Sequence, residues 1–322
     1  MNRSSFLRAL VATTLAAACA LPAAAQNRQP IRIMLGFPPG ASGDTLTRKL
    51  AEKMHASLGE PVIVENRPGA GGRIALEQLK AAPRDGRTLI FTPNTPLTAA
   101  PWLYELRYDP VKDFQPIAQV ASFGYVFVVN PTVKASDLKQ FAAAVKADPK
   151  LAFYAAAAPG GGAHMALDTF SRAQNLGMSY VGYRGTGNAL TDLLGGQLPT
   201  FVGNTADFVE FIRQGKIKPL ATLGEKRSRF LPEVPTFKEQ GFDIESSGWF
   251  AVYAPAGTPA DIVQRLSRTV ITAARDPEVK ALADGLGLEM TGLGPTELAA
   301  AQKAEYDISG MRIKASGFKP QE

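Results

Sequence analysis

Two glycine-rich stretches carry the residue types best suited to holding an anion. Phe37-Pro-Pro-Gly-Ala-Ser-Gly-Asp44 contains Gly40 and Gly43, and Ala156-Ala-Ala-Pro-Gly-Gly-Gly-Ala-His164 contains Gly160, Gly161 and Gly162. Glycine lets a main chain approach a ligand without a Cβ in the way. Each stretch leads into a helical pattern, so its amides are unpaired donors at the positive end of a helix dipole. Phe37, Pro39, Gly40, Ala41, Ser42 and Asp44 form the first candidate set, and Ala156, Gly160, Gly161, Gly162, Ala163 and His164 the second. The chemistry implied is recognition of carboxylate groups by main-chain amides. A dipole end contributes about 0.3–1 kcal/mol, and each hydrogen bond to a charged group about 1.5–3 kcal/mol. Several together reach micromolar affinity, about −8 kcal/mol, without an arginine clamp. Asp44 has a competing role as the cap of its own helix, and His164 as a satisfied structural residue.

Other chemistries fit less well. Nucleophilic hydrolysis would pair Ser42 with His55 or His164, the two histidines of the chain. Gly40-Ala-Ser-Gly-Asp44 departs from the G-x-S-x-G turn because its fifth residue is Asp. His55 lies far along a charged helix beside Glu52 and Lys53. The phosphate-binding pattern G-x-x-x-x-G-K-[ST] is absent, and Gly69-Ala-Gly-Gly72 is not G-x-G-x-x-G. Glu105, Asp109 and Asp113 have helical spacing, but Pro110 among them places them on a solvated loop. One cysteine and two histidines leave neither a disulfide framework nor a structural zinc site. No metal or cofactor is expected, and no catalytic residue.

The two loops need rigid elements to aim them. Residues 31–37 read as a buried strand, closed by Pro38, Pro39 and Gly40. Leu46, Leu50, Met54 and Leu58 recur every four residues, predicting a helix over 44–58 that Gly59 caps. Strands at 62–65 and 87–92 flank a helix at 74–82, an alternation that implies a parallel sheet covered on both faces. The same grammar restarts with a helix over 136–147, capped by Ser136. Strands follow at 151–155, 178–183, 198–202 and 217–223, with helices at 163–175, 188–194 and 206–214. Strands at 125–129 and 248–254 connect the two units, and helices at 260–274 and 277–283 return to the first. The fold class is therefore α/β: two lobes, each a mainly parallel sheet flanked by helices, joined by a two-strand hinge. Residues 26–129 with 249–322 form the first lobe and residues 130–248 the second. The cleft between them is the expected ligand site.

The 322 residues are 45% apolar and 20% charged, an ordinary globular composition that excludes disorder and collagen-like repeats. Arg3 and Arg8, the apolar run 9–21, and Ala23 and Ala25 read as a signal peptide cleaved before Gln26. Removing those two arginines takes the formal charge from +6 to +4, and Cys19 leaves with the leader. The expected location is the periplasm. No later stretch holds 18 uninterrupted apolar residues, so no transmembrane helix is predicted. A modest positive charge without basic runs argues against nucleic acid and suits small anions.

The loop Pro38–Asp44, then Gly59-Glu-Pro-Val-Ile-Val-Glu-Asn-Arg-Pro-Gly-Ala-Gly-Gly72 and Pro83-Arg-Asp-Gly-Arg-Thr-Leu89, resemble the Bug family of periplasmic solute-binding proteins. Tyr108–Phe114, Tyr183-Arg-Gly185, Asp192–Gln197, Leu231–Thr236 and Ala254–Pro259 extend the likeness over residues 30–310. The resemblance implies a monomeric Venus-flytrap receptor of the tripartite tricarboxylate transporter type. Such a protein holds a small carboxylate between its lobes and delivers it to a permease of two membrane subunits. Signalling to a membrane sensor kinase is the alternative partnership. The resemblance also implies that Thr92, Asn94 and Thr95 line the first lobe, and that Tyr183, Arg184, Gly185 and Asn204 line the second. Three departures stand out: Gly40-Ala41 for the usual Gly-Gly, Ala156-Ala-Ala-Pro159 for a serine-bearing loop, and Gly203 for a common Asp. Together they imply a ligand with an apolar or aromatic body.

Overall fold

The computed structural model describes residues 29–319 apart from 157 and 184. The expected leader and Arg184 lie outside the described residues. The apolar strand β1 (Ile31–Leu35) lies between β2 (Val62–Asn66) and β3 (Thr88–Pro93), parallel to both. α1 (Ser42–Leu58) makes the first crossover and buries Leu46, Leu50 and Met54, the face its four-residue repeat predicts. Gly59 stops it in the left-handed conformation, φ 66°, and its amide donates to the His55 carbonyl. α2 (Arg73–Lys80) is the second crossover, and the short turn α3 (Thr95–Thr98) follows β3.

β4 (Phe114–Val129) is 16 residues long, where the sequence predicts a strand only over 125–129. Register shifts at Pro116–Ala118 and Gln119–Ala121 interrupt the in–out alternation of its first part, so the pattern does not read as a strand. The other elements of the central region are α4 (Leu138–Ala147), β5 (Phe153–Ala156), α5 (Gly162–Ala173), the two-residue β6 (Ser179–Tyr180) and α6 (Thr186–Leu194). After them come β7 (Thr200–Asn204), α7 (Thr205–Arg213) and β8 (Lys218–Thr222). β9 (Ser247–Pro255), α8 (Ala260–Arg275), α9 (Pro277–Leu286), β10 (Glu289–Leu293) and α10 (Pro295–Ser316) complete the described chain.

From Phe114 to Gly124, β4 runs antiparallel to β9, which also pairs antiparallel with β3. From Tyr125 to Val129 its partners are β7 and β8. The strand order β2-β1-β3-β9-β4-β7-β5-β6 thus contains two groups joined through β4. Among the described strands, parallel pairing joins β1–β3 and β5–β7, with one isolated parallel bridge at Thr222–Thr236; the middle of the array is antiparallel. The second passage between groups is at Ser246, whose amide donates to the Leu223 carbonyl just before Ser247 pairs with Gly124.

Two local readings are corrected. Asp137, not Ser136, caps α4: its carboxylate accepts from the Gln140 amide at 2.7 Å, while the Ser136 hydroxyl donates to the Gln140 side chain. The strand expected over 178–183 shrinks to Ser179–Tyr180, because the chain leaves the sheet at Gly182 after one more bond from Val181 to Tyr154. β10 and α10 carry no sequence expectation. The buried residues of α10 include Gln302, Ser309 and Gly310, so its inner face shows no apolar stripe. Gln302 bonds the Tyr253 hydroxyl at 3.0 Å and the Pro110 carbonyl at 2.7 Å, while Ile313, near the C-terminal end, packs with Met165 of α5.

Candidate functional site

A cavity of about 580 Å³ opens between the two strand groups. The loop from Phe37 to Asp44 forms one rim, and the starts of α6 and α7 form the other. Gly40 has φ 101°, a conformation that glycine adopts without strain. Its amide donates to Asp44 at 3.1 Å. Arg48 at 2.9 Å and Asn66 at 3.0 Å hold the same carboxylate. Burial raises the Asp44 pKa, but the bonds from Arg48, Asn66 and Gly40 outweigh it and hold the group below its usual range. Asp44 is thereby committed to shaping the loop.

The rims meet at Ser42. Its amide donates to Asp207 at 3.1 Å, and the Asn204 side-chain amide reaches its hydroxyl at 3.4 Å. Asn204 in turn caps α7 by accepting from the Ala206 amide. Gly185 lies against Pro38, with the Pro38 ring 3.4 Å from where a Cβ would stand. The α1 amides that the sequence offers to a ligand are therefore partly engaged by the chain's own carboxylates. Those of Ala41 and Gly43 have no protein partner among the described residues. Burial pushes the Asp207 carboxyl upward against the opposing bonds from Ser42.

The inner wall is aromatic. Phe250 stacks on Phe91 with ring centroids 5.1 Å apart and packs on Phe123 at 4.6 Å. Phe123 meets Tyr125 edge-on. Gly43 admits the Phe250 ring, whose carbons lie 3.3 Å from the position of a Cβ. Thr95 and Tyr125 also line the cavity, with the Thr95 hydroxyl against Gly161 and the Tyr125 hydroxyl against Gly248. Burial pushes the Tyr125 phenol above its usual range, keeping it a neutral O–H donor.

The second glycine loop sits behind these hydroxyls. Ala158 reaches the cavity lining, and Gly161 packs on Thr95. Gly162, at the start of α5, lies against Tyr125 and Ser246. The Ser246 hydroxyl is buried and has no protein partner. Gly160 donates to Nδ1 of His164 at 2.8 Å, and the His164 ring stacks on Tyr180 at 4.4 Å. Desolvation lowers the His164 pKa to about 4, so the imidazole is neutral near pH 7. No hydrogen bond joins it to Ser42, whose hydroxyl is reached by the Asn204 side-chain amide instead.

Of the sequence candidates, Phe37, Pro39, Gly40, Ala41, Ser42, Asp44, Thr95, Gly185 and Asn204 line one cavity. Ala156, Gly160, Gly161, Gly162, Ala163 and His164 are not part of the lining, nor are the buried Thr92 and Asn94, although Gly161 and Gly162 pack on the lining residues Thr95 and Tyr125. Tyr183 turns its hydroxyl to Asp192 at 2.8 Å. The sequence reading misses the wall of Phe91, Phe123, Tyr125 and Phe250, and it misses Asp207. Asp207 had one available signal: like Ser42, it opens a helix just after a strand end. Among the described residues no group of three or more His, Cys, Asp or Glu is placed to hold a metal ion.

Comparison with known proteins agrees with this geometry. The Bordetella pertussis protein BugT is 34% identical over 284 residues, 87% of each chain. The structure of the periplasmic binding protein BugD superposes with a TM-score of 0.85 at 30% identity, covering 91% of this chain and 99% of that one. An adipate-bound protein from R. palustris superposes at 0.87 with 26% identity, covering 92% and 100%. The profile described as "Tripartite tricarboxylate transporter family receptor" matches residues 46–315, and with this sheet topology and cleft the chain belongs to that receptor family.

Proposed function

We propose that the protein is a periplasmic solute receptor that closes two lobes around a small carboxylate and presents it to a two-subunit membrane permease. The observation that carries this reading is the cavity, whose opposite rims come from the two strand groups and touch through Ser42, Asn204 and Asp207. The hinge lies where β4 changes partners at Gly124–Tyr125 and where the chain returns at Ser246–Ser247. The first lobe then comprises the strands up to Gly124 together with the chain from Ser247 onward. A ligand carboxylate is seated by Thr95 and Tyr125, which pack on the glycines at the start of α5, and its body lies against Phe91, Phe123 and Phe250. A ligand that touches both rims makes its full set of contacts only when the lobes are closed, so ligand selects closure. Membership of the receptor family supports the permease partnership, and the bound adipate of the R. palustris relative supports an acid ligand.

Titration calorimetry on the processed protein with adipate, hexanoate and 3-phenylpropanoate tests the reading. At least one acid binds with micromolar affinity, and the Thr95→Val, Tyr125→Phe double variant weakens it. Absence of binding by all three acids, together with no small anion retained in native mass spectra of protein purified without refolding, overturns it.

A further inference from the structure

Asp207 stands where a ligand carboxylate would be expected. Its side chain sits at the N-terminus of the 17-residue α1 and accepts from the Ser42 amide at 3.1 Å. It is partly buried, lines the cavity and has no cationic partner among the described residues. The described lining includes no Lys, Arg or His. The other two acids there are otherwise engaged: Asp44 with Arg48, and the exposed Glu210 with Gln214. One turn on from Asp207 in α7 the lining includes Phe211, and Leu190 and Leu286 add further apolar surface to the cavity. The cavity thus has one pole of neutral hydroxyl donors around Thr95 and Tyr125. At its other pole a donor site is already filled by an acid of the protein itself.

We infer that Asp207 is a specificity-determining residue: seated on the α1 amide, it makes the cavity select ligands with one carboxylate and an apolar body over ligands with a second carboxylate. The inference rests on the receptor reading above and deepens it. A second ligand carboxylate reaching this pole meets a like charge and loses the Ser42 amide to it, so discrimination comes from repulsion against the wrong ligand as well as from contact with the right one. A first-turn acid also favours its own helix through the dipole, so a stability change alone says nothing about selectivity.

The test compares hexanoate with adipate, acids of equal chain length, by calorimetry on the processed protein and on Asp207→Asn. Wild type is expected to favour hexanoate by about tenfold or more, and Asp207→Asn to shift the hexanoate-to-adipate affinity ratio toward adipate by at least that factor. Asp207→Glu, which keeps the charge, is expected to keep the preference for hexanoate. Wild-type binding of adipate as tight as hexanoate overturns the inference without any variant. An unchanged ratio in a folded Asp207→Asn protein also overturns it, while leaving the receptor reading intact. Failure of both acids to bind wild type overturns the inference, and the receptor reading falls with it only when 3-phenylpropanoate also fails to bind and native mass spectra show no retained small anion.

Discussion

Acidification should cost this protein stability through one buried imidazole. His164 is 1% exposed, packed against Tyr180, Tyr154 and Phe318, and its Nδ1 is occupied by the Gly160 amide. Desolvation lowers its pKa from 6.5 to about 4 in the folded protein. A depressed pKa means that the unfolded chain takes up a proton first. The stabilisation is therefore whole above pH 6.5 and is lost as pH falls from 6.5 through about 4. Linkage between those two pKa values gives a loss of about 2 kcal/mol by pH 5 and about 3 kcal/mol by pH 4. Carboxylates titrate over the same range, so the measurement is a difference. Urea unfolding is followed by the fluorescence of Trp102 and Trp249 at pH 7 and pH 5, for wild type and His164→Asn, which retains an acceptor for Gly160. The variant is less stable at pH 7, and its stability falls by about 2 kcal/mol less than wild type on acidification. Equal falls in both proteins would refute the premise that the ring is held neutral by burial.

Two further outcomes follow from packing and charge. Phe250→Ala removes the ring shared by Phe91 and Phe123; it should destabilise by about 3 kcal/mol in urea unfolding and weaken binding of hexanoate more than of acetate in calorimetry. Glu60 is 3% exposed and receives Arg87 and Arg265. Glu60→Ala leaves those two partly exposed cations without their acid and should cost about 2 kcal/mol, less than a fully buried pair, read as a lowered urea midpoint with an unchanged slope.

Much of the frame was legible because its signals are local. Leu46, Leu50 and Met54 repeat at helical spacing, Gly59 sits where a left-handed cap is needed, and the apolar run from Ile31 is short and bounded by prolines. The first glycine loop was legible for the same reason: a strand, two glycines and a helix start are consecutive in the chain. The first part of β4 was hidden by bulges that break the alternation, and α10 by an inner face built from Gln302, Ser309 and Gly310. Gly310 is small because the Trp102 ring lies against it, a constraint set 208 residues away in the chain. The aromatic wall was not legible at all. Phe91, Phe123 and Phe250 meet only because β9 pairs with both β3 and β4, and strand pairing at that separation leaves no mark in a local window. The second glycine loop has the same sequence form as the first, yet its glycines serve close packing against Leu103, Thr95 and Ser246, and of these three only Thr95 lines the cavity.

α10 gives the molecule a splint. Its N-terminal half is fastened to β9 through Gln302 and Tyr253, and Trp102 donates to the Tyr306 carbonyl midway along it. Its last turns and Phe318 rest on Met165 and His164 of α5, an element from the other strand group. In the proposed closure, a swing about β4 and β9 would have to shear this apolar seam, whose residues lie outside the cavity lining. If the lobes part as proposed, a change at Ile313 or Phe318, which lie outside the cavity lining, should alter how readily they do so while leaving the lining itself untouched.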